Sequence, residues 1–469
     1  MAVPRGVVLL TLAGALTTGC ATVGPNYVRP TVDVTDTFRG QSPEPAGQPA
    51  TASIADTQWS DVFAEPPLHD LISTALQQNY DVRIAASRIL QAEARFGITR
   101  ADQFPSVETQ TSVQGQRTSI GTSDAEARTV GVAQLGAAVG WEPDFWGKYR
   151  RATEAARAQI LASEWGRRAV VTSLVSQVAS GYYALLALDL ELSIATRTLA
   201  TREESLRITE VRERGGATSL VDVRQAEQLV YGARATIVDL QRLIEQQENF
   251  LSVLLGRSPD AVPRGRWLTE QPRWPDVPAG LPSALLERRP DVQQAEQLLV
   301  AANAEIGVAR AAYFPQVLLT GSGGVASTAL SALFAGPAAA WTAAAAVAQP
   351  VFNAGRLRSG VALAEAERQE ATLAYQQTIQ SAFREVADSL VGYRRTRELR
   401  GAQELLVRAA QDARRLADLR YQGGATGYLE VLDSETRLFS AELDLARARL
   451  GELTAFVEIY RALGGGWRD

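Results

Sequence analysis

The 469-residue chain has one cysteine, one histidine and, among its 47 basic residues, a single lysine, Lys148. One cysteine excludes an intramolecular disulfide and any cysteine-based metal cluster. One histidine, His69, leaves neither a histidine metal site nor a Ser-His-Asp triad with its parts in order, and at the start of a helix it reads as a surface residue. A net charge of −5 without a basic block gives no sign of nucleic-acid binding. No phosphate-binding loop is present, because Gly-Gly-Ala-Thr lacks the lysine and the preceding strand that such a loop needs. Beyond the first twenty residues there is no long apolar run suited to a transmembrane helix. No metal, cofactor or catalytic group is expected, and the chain does not read as an enzyme.

What the chain does have, it has twice. The segment Arg212–Val223 returns as Arg420–Val431, with six of its twelve positions identical, including the Gly-Gly-Ala-Thr centre. Asp81-Val82, Gly97 and Phe104-Pro105 recur as Asp291-Val292, Gly307 and Phe314-Pro315, and Leu255-Gly256 recurs as Leu463-Gly464. A tandem duplication predicts two similar structural units. The expected organisation is a signal peptide (1–19), an extended arm (20–66) and a first repeat (67–256, with a β-hairpin at about 104–142). A proline-rich connector (257–282), a second repeat (283–464, with a β-hairpin at about 314–350) and a short tail (465–469) follow.

Proline is missing from residues 144–258 and again after Pro350. Within these stretches Lys148–Arg212 and Arg356–Arg420 are dominated by Ala, Leu, Arg, Glu and Gln, all good helix formers. Each predicts a helix about 100 Å long at 1.5 Å per residue. Rods of that length need a partner along their length. The Gly-Gly motif turns each back into a second helix, Ser219–Leu255 and Tyr428–Leu463. Upstream, Leu71, Ala75, Val82, Ala85, Ile89 and Ala92 keep helical spacing, which predicts one helix from Leu68 to a stop near Phe104-Pro105. Six prolines between Ser258 and Pro282 exclude a regular helix there.

Between the helices the period changes from 3.6 to two. Ser106–Gln116 and Thr129–Trp141 alternate, and Gln316–Val325 and Ala338–Gln349 hold the matching places in the second half. Each is about ten residues long, the length of a tilted transmembrane strand. A pair of soluble hairpins is the alternative. Four strands cannot close a membrane barrel and lipid does not tolerate open edges, so a spanning form requires strands from other copies.

The N-terminus has Arg5, an apolar run Val7–Leu16, and Thr17-Thr18-Gly19-Cys20, the layout of a secretory signal. It resembles a bacterial lipoprotein signal, in which Cys20 is acylated, although Thr17 stands where that pattern has Leu. An ordinary signal with an incidental cysteine is the alternative.

Val23-Gly24-Pro25-Asn26-Tyr27, Trp59 with Phe63, Arg420-Tyr421 with Gly424 and Tyr428–Asp433, and Tyr460–Trp467 occur in this order along the duplicated chain. With them the sequence resembles the TolC-like outer-membrane factors, in the lipoprotein branch that serves resistance-nodulation-division efflux pumps. The resemblance implies a mainly α homotrimer whose duplicated α-hairpins form a periplasmic helical tunnel and whose four strands per chain form a 12-stranded transmembrane β-barrel. It implies a passive conduit for small molecules, coupled to a periplasmic adaptor and an inner-membrane pump, and held to outer-membrane lipid through acylated Cys20. The same fold used for type I protein secretion, and a periplasmic coiled-coil scaffold without a pore, are the competing readings.

By the same resemblance Asp222 and Tyr421 hold neighbouring helices together in a closed tip, Glu430 and Asp433 ring the bore, and Leu429 forms an apolar constriction. Arg212, Gly215, Gly216, Arg420, Gly423 and Gly424 mark the hairpin tips where the adaptor docks. Thr426 stands where one subfamily has an arginine that locks the tip, and Arg437, one turn beyond Asp433, is a substitute. Independently of the resemblance, Glu430 and Asp433 share a helix face, and rings of carboxylates favour cations. The plain alternative is solvated charges near a helix N-terminus. Trp141 and Trp146 fit either an aromatic girdle or packing at the strand–helix junction.

Overall fold

A computed structural model describes residues 22–32, 37–40, 53–118, 128–272, 277, 279–280 and 282–467. Cys20, the signal segment and much of the arm lie outside the described residues. Each half of the chain runs helix, helix, strand, strand, helix, helix. The first half comprises α1 (Pro66–Gln78), α2 (Tyr80–Ala101), β1 (Ser106–Thr118), β2 (Arg128–Trp141), α3 (Lys148–Arg214) and α4 (Leu220–Leu254). The second comprises α5 (Pro282–Arg288), α6 (Pro290–Ala311), β3 (Gln316–Ser327), β4 (Ala339–Ala348), α7 (Arg356–Gln422) and α8 (Tyr428–Ala462). Equivalent helices have equal lengths: 22 residues for α2 and α6, 67 for α3 and α7, 35 for α4 and α8.

Two expectations are corrected. The helix expected to run unbroken from Leu68 is two helices, parted at Asn79, whose ψ of 133° leaves the α region. The Asn79 carboxamide makes the break hold. Its Oδ1 accepts from the amides of Asp81 (2.8 Å) and Val82 (3.2 Å), and its Nδ2 donates to the Leu254 carbonyl (3.0 Å). Apolar spacing continues across the break, as Leu71, Ala75, Val82 and Ala85 are all buried, so periodicity could not reveal it. Second, α3 does contain a stretch long and apolar enough to cross a membrane, but 61% of it is buried inside the protein. Its Val175, Val178, Ala179, Tyr182 and Leu185 are fully buried core residues.

The chain divides into two compact units, each drawing on both repeats. One holds, of the described residues, those within 22–31, 88–163 and 295–375. Its sheet is antiparallel in the order β1-β2-β3-β4, leaving β1 and β4 as edges. Val107 faces Val139, Val139 faces Gly321, and Val317 faces Val347 across the ladders. Every residue of β4 is exposed, with Trp341 at 80%. Alanine is a poor strand former, but pairing with β3 along all ten positions holds β4 extended. Trp146 stacks on Phe314 at 4.7 Å and donates to the Pro315 carbonyl at 2.8 Å, so it packs the junction below the strands. Trp141 donates to the Gln103 carbonyl at 3.1 Å.

The other unit holds the described residues within 32–87, 164–294 and 376–467. Its core is aromatic: Phe63 meets Tyr460 edge-on at 5.7 Å, and the Tyr460 hydroxyl donates to the Thr57 carbonyl at 2.8 Å. Trp165 and Trp467 lie at 5.6 Å with Arg168 over both rings. These contacts account for the Trp59–Phe63 and Tyr460–Trp467 motifs as packing. His69 is half-buried beside the Trp59 ring at 5.1 Å. The proline-rich connector is pinned by polar groups, with Arg264 to Asp189 (3.0 Å) and the Gly265 amide to the Tyr182 hydroxyl (2.9 Å).

Candidate functional site

The repeated motif forms the two hairpin turns, and both end their long helix in the same way. In the first, Gly216 takes φ +74°, its amide donates to Glu213 (2.9 Å) and the Ala217 amide donates back to Arg212 (2.8 Å). In the second, Gly424 takes φ +72°, its amide donates to Tyr421 (3.1 Å) and the Ala425 amide to Arg420 (2.8 Å). This is a Schellman stop, which needs a residue tolerant of positive φ. Gly215 and Gly423 precede it in ordinary backbone, capping Val211 (3.2 Å) and Leu419 (3.0 Å).

The acids that follow are used locally. Asp222 is the third residue of α4 and closes a capping box with Ser219. Its Oδ2 accepts from the Ser219 amide (3.0 Å), the Ser219 hydroxyl (2.9 Å) and the Thr218 hydroxyl. The Thr218 bond, then the Ser219 amide, hold its carboxyl below the ordinary range. In α8 Glu430 repeats only the threonine bond, accepting from the Thr426 hydroxyl and standing 3.6 Å from Arg420. Thr426 therefore corresponds to Thr218 as a capping partner. Asp222 and Tyr421 are not hydrogen-bonded to each other within the chain; the bonds of Asp222 go to Thr218 and Ser219.

Tyr421 is instead surrounded by rings and apolar groups. It meets the Tyr428 ring at 5.3 Å and packs on a cluster of Ala226, Ala417, Tyr428, Val431 and Leu432 drawn from both hairpins. Its hydroxyl is buried without a hydrogen bond among the described residues. The Arg212 guanidinium lies over its ring at 4.5 Å. Burial pushes the neighbouring Tyr428 hydroxyl up to about 12.

Asp433 pairs with Arg437 at 2.8 Å, and both are largely exposed. With Glu430 they line an open groove of about 720 Å³ alongside Leu406, Ala413 and Ala417. Leu429 lies outside that groove and is 67% exposed. Arg202 and Glu435 are buried charges without a signature in the sequence. Arg202 on α3 donates to the Leu229 carbonyl (2.9 Å) and covers the Phe439 ring at 5.0 Å, and Glu435 on α8 accepts from Arg414 at 3.3 Å. Each retains one atom without a partner among the described residues, Arg202 Nε and Glu435 Oε2. Nothing in their spacing distinguishes them from the many exposed arginines and glutamates of these helices.

A second cluster explains the motif after Cys20. Gly24, at φ +104°, lies so close to Gly307 that a Cβ would stand 2.5 Å from the Gly307 Cα. Around this contact Arg151 donates to the Val23 carbonyl (3.3 Å) and Asn26 (2.8 Å), and Asn303 donates to the Pro25 carbonyl (3.0 Å). Arg29 grips the buried Glu296 through two bonds of 2.7 and 2.6 Å, and Tyr27 adds a third at 3.1 Å.

A four-stranded sheet with two open edges, and paired helices of 67 and 35 residues present in duplicate, are the elements that an outer-membrane channel of this class combines. The chain belongs to the outer membrane efflux protein family, which matches residues 71–257 and 281–465, one match in each repeat. It is similar to the toluene efflux pump outer membrane protein TtgC of Pseudomonas putida, at 38% identity over 99% of this chain and 96% of the relative. It is similar to the cation efflux system protein CusC of Escherichia coli, at 34% identity over 96% of this chain and 97% of the relative. The crystal structure of the open state of the Neisseria gonorrhoeae MtrE outer membrane channel superposes with a TM-score of 0.84 at 32% identity, covering 96% of this chain and 99% of that one. The protein is an efflux channel of the bacterial outer membrane, extending into the periplasm.

Proposed function

We propose that three copies of this chain close a 12-stranded barrel and a continuous helical bore, coupled in the periplasm to an adaptor protein and an inner-membrane pump. The carrying observation is the four-stranded sheet with unpaired edges β1 and β4 and outward apolar residues such as Val107, Trp341 and Val347. Lipid does not tolerate unpaired strand edges, and closure by other copies satisfies both. Cargo crosses by diffusion, no bond is made or broken, and the energy comes from the pump. Relatives named for toluene and for cations fit a conduit whose partners choose the cargo.

At the tips, Leu429 narrows the bore and Glu430 with Asp433 presents carboxylates that favour cations. The two Gly-Gly turns, with Arg212 and Arg420, form the adaptor's docking ends. Acylated Cys20 holds the channel to lipid. The test is planar-bilayer conductance with unboiled gel electrophoresis. A heat-sensitive trimer band and a small cation-preferring conductance are expected. Inserted protein that runs as a monomer and never conducts would sink the reading.

A further inference from the structure

We propose that the turn between β4 and α7 is a phospholipid-binding site, in which Val351 and Phe352 enter the acyl boundary and Arg356 and Arg358 hold the headgroup phosphate. The inference rests on the channel reading, which puts the sheet in the outer membrane and the helices in the periplasm. The duplication supplies a control within the same chain. Gly147-Lys148 and Arg150, after β2, recur as Gly355-Arg356 and Arg358, after β4. Both turns use the glycine in the left-handed region, Gly147 at φ +79° and Gly355 at φ +86°. Both are tied to the end of the preceding helix by the same bond. Trp141 Nε1 donates to the Gln103 carbonyl at 3.1 Å, and its counterpart Gln349 donates from Nε2 to the Tyr313 carbonyl at 2.8 Å.

The side chains of the two turns differ in one consistent way. The first turn neutralises itself. Glu142 accepts from Lys148 at 3.4 Å and from the Tyr149 hydroxyl at 2.7 Å, and Asp144 accepts from the Arg150 amide at 2.9 Å and its Nε at 3.3 Å. In the second turn Pro350 and Phe352 replace these acids, and Leu357 replaces Tyr149. Arg356 and Arg358 are left exposed and hold no carboxylate among the described residues. In the same turn Val351 is 96% exposed and Phe352 89%. Exposed apolar side chains followed by uncompensated cations suit the level where acyl chains meet phosphates. Position agrees with chemistry. Val351 stands three residues beyond Ala348, the last residue of β4, and so within about 10 Å of the strand's end. The apolar surface continues onto the strand itself through exposed Val347. A headgroup phosphate supplies the negative charge that Glu142 and Asp144 supply in the first turn, and the guanidinium fork matches its oxygens.

The experiment titrates phosphatidylglycerol into the delipidated full-length channel and counts bound lipid by native mass spectrometry. Unboiled electrophoresis and bilayer conductance report assembly for each variant. Arg356→Gln and Arg358→Gln are each expected to weaken lipid binding about fivefold, with trimer and conductance unchanged. Pro350→Glu combined with Phe352→Asp rebuilds the acids of the first turn and should weaken binding at least as far. Lys148→Gln removes a cation that Glu142 already neutralises and should leave binding unchanged. Phe352→Ser should weaken lipid binding in an intact trimer, and excess inorganic phosphate should not displace the lipid. Lipid binding that survives the loss of both arginines would overturn the proposal, and so would displacement by inorganic phosphate. A Phe352→Ser chain that falls to monomer would overturn it too, by assigning this surface to a second copy of the chain. A wild type that inserts but never forms a conducting trimer would strike the channel reading itself, and this proposal with it.

Discussion

Asn79 and Arg289 stand at the same joint of the two repeats and make the same bond. The Asn79 Nδ2 donates to the Leu254 carbonyl at 3.0 Å, and the Arg289 Nη1 donates to the Ala462 carbonyl at 3.1 Å, each capping the far end of a returning helix. Neither side chain resembles the other; the unpaired helix-end carbonyl is what both satisfy. Arg289 reaches further, to Asp291 and to Glu385 at 3.0 Å, so the second joint carries an ion-pair network that the first lacks.

Removing Arg289 therefore costs more than its one carbonyl bond. Arg289→Ala leaves Glu385 and the Ala462 carbonyl short of a donor and is expected to lower stability by about 2–3 kcal/mol. Arg289→Asn restores the first repeat's chemistry and should lose less. Denaturation midpoints of the purified variants check this, and equal losses would contradict it.

The Gly24–Gly307 contact predicts intolerance to a single methyl group. Gly24→Ala puts a Cβ 2.5 Å from the Gly307 Cα in a backbone with φ +104°. Residues 22–31 should come away from their seat. Hydrogen exchange of that segment is expected to rise by at least tenfold, with little change in α8.

Arg29 makes a separate prediction for the same strap. Glu296 is 5% exposed, and its carboxylate depends on Arg29 and Tyr27 for partners. Arg29→Ala should cost about 2 kcal/mol, because a buried charge loses its counterion. The double variant Arg29→Ala with Glu296→Gln should recover part of it. Limited proteolysis within 22–31 reports both, and a double variant as labile as the single would refute the account.

The two tips differ in their caps. Ser219 caps α4 with its side chain, whereas Gly427 at the start of α8 offers none. Ser219→Ala is expected to destabilise the first turn of α4 by about 1 kcal/mol. Gly427→Ser should slow amide exchange in the first turn of α8. The check is residue-resolved hydrogen exchange at the two tips.

Glu435 predicts a pH response. Burial raises its carboxyl above the ordinary range; Arg414 opposes this and Asp418 adds to it, while Arg202 opposes it more weakly. A folded-state value above the unfolded one means that the folded protein binds the proton more tightly. Stability from this group therefore grows as pH falls through the raised value and is complete below the unfolded value of about 4.3. Glu435→Gln should remove that part of the difference in denaturation midpoint between pH 7 and pH 5. An unchanged difference would rule Glu435 out as its source.

The sequence by itself determined the duplication, the four long helices, the four strands and the turns between them. These depend on chemistry within a few residues: helix formers without proline, alternation of period two, and glycine where φ must be positive. It also placed the tip motif at the two turns, because Gly-Gly-Ala-Thr carries its own stop signal. What only the tertiary structure decided is which groups meet. Asn79 breaks a helix that periodicity runs straight through, since its carboxamide is held by a carbonyl 175 positions away. Gly24 is needed because Gly307 lies against it, and the Arg212 guanidinium lies over the Tyr421 ring. Such pairings are set by the register of helices remote in sequence, and the spacing of residues within one helix carries no record of what another helix will place opposite.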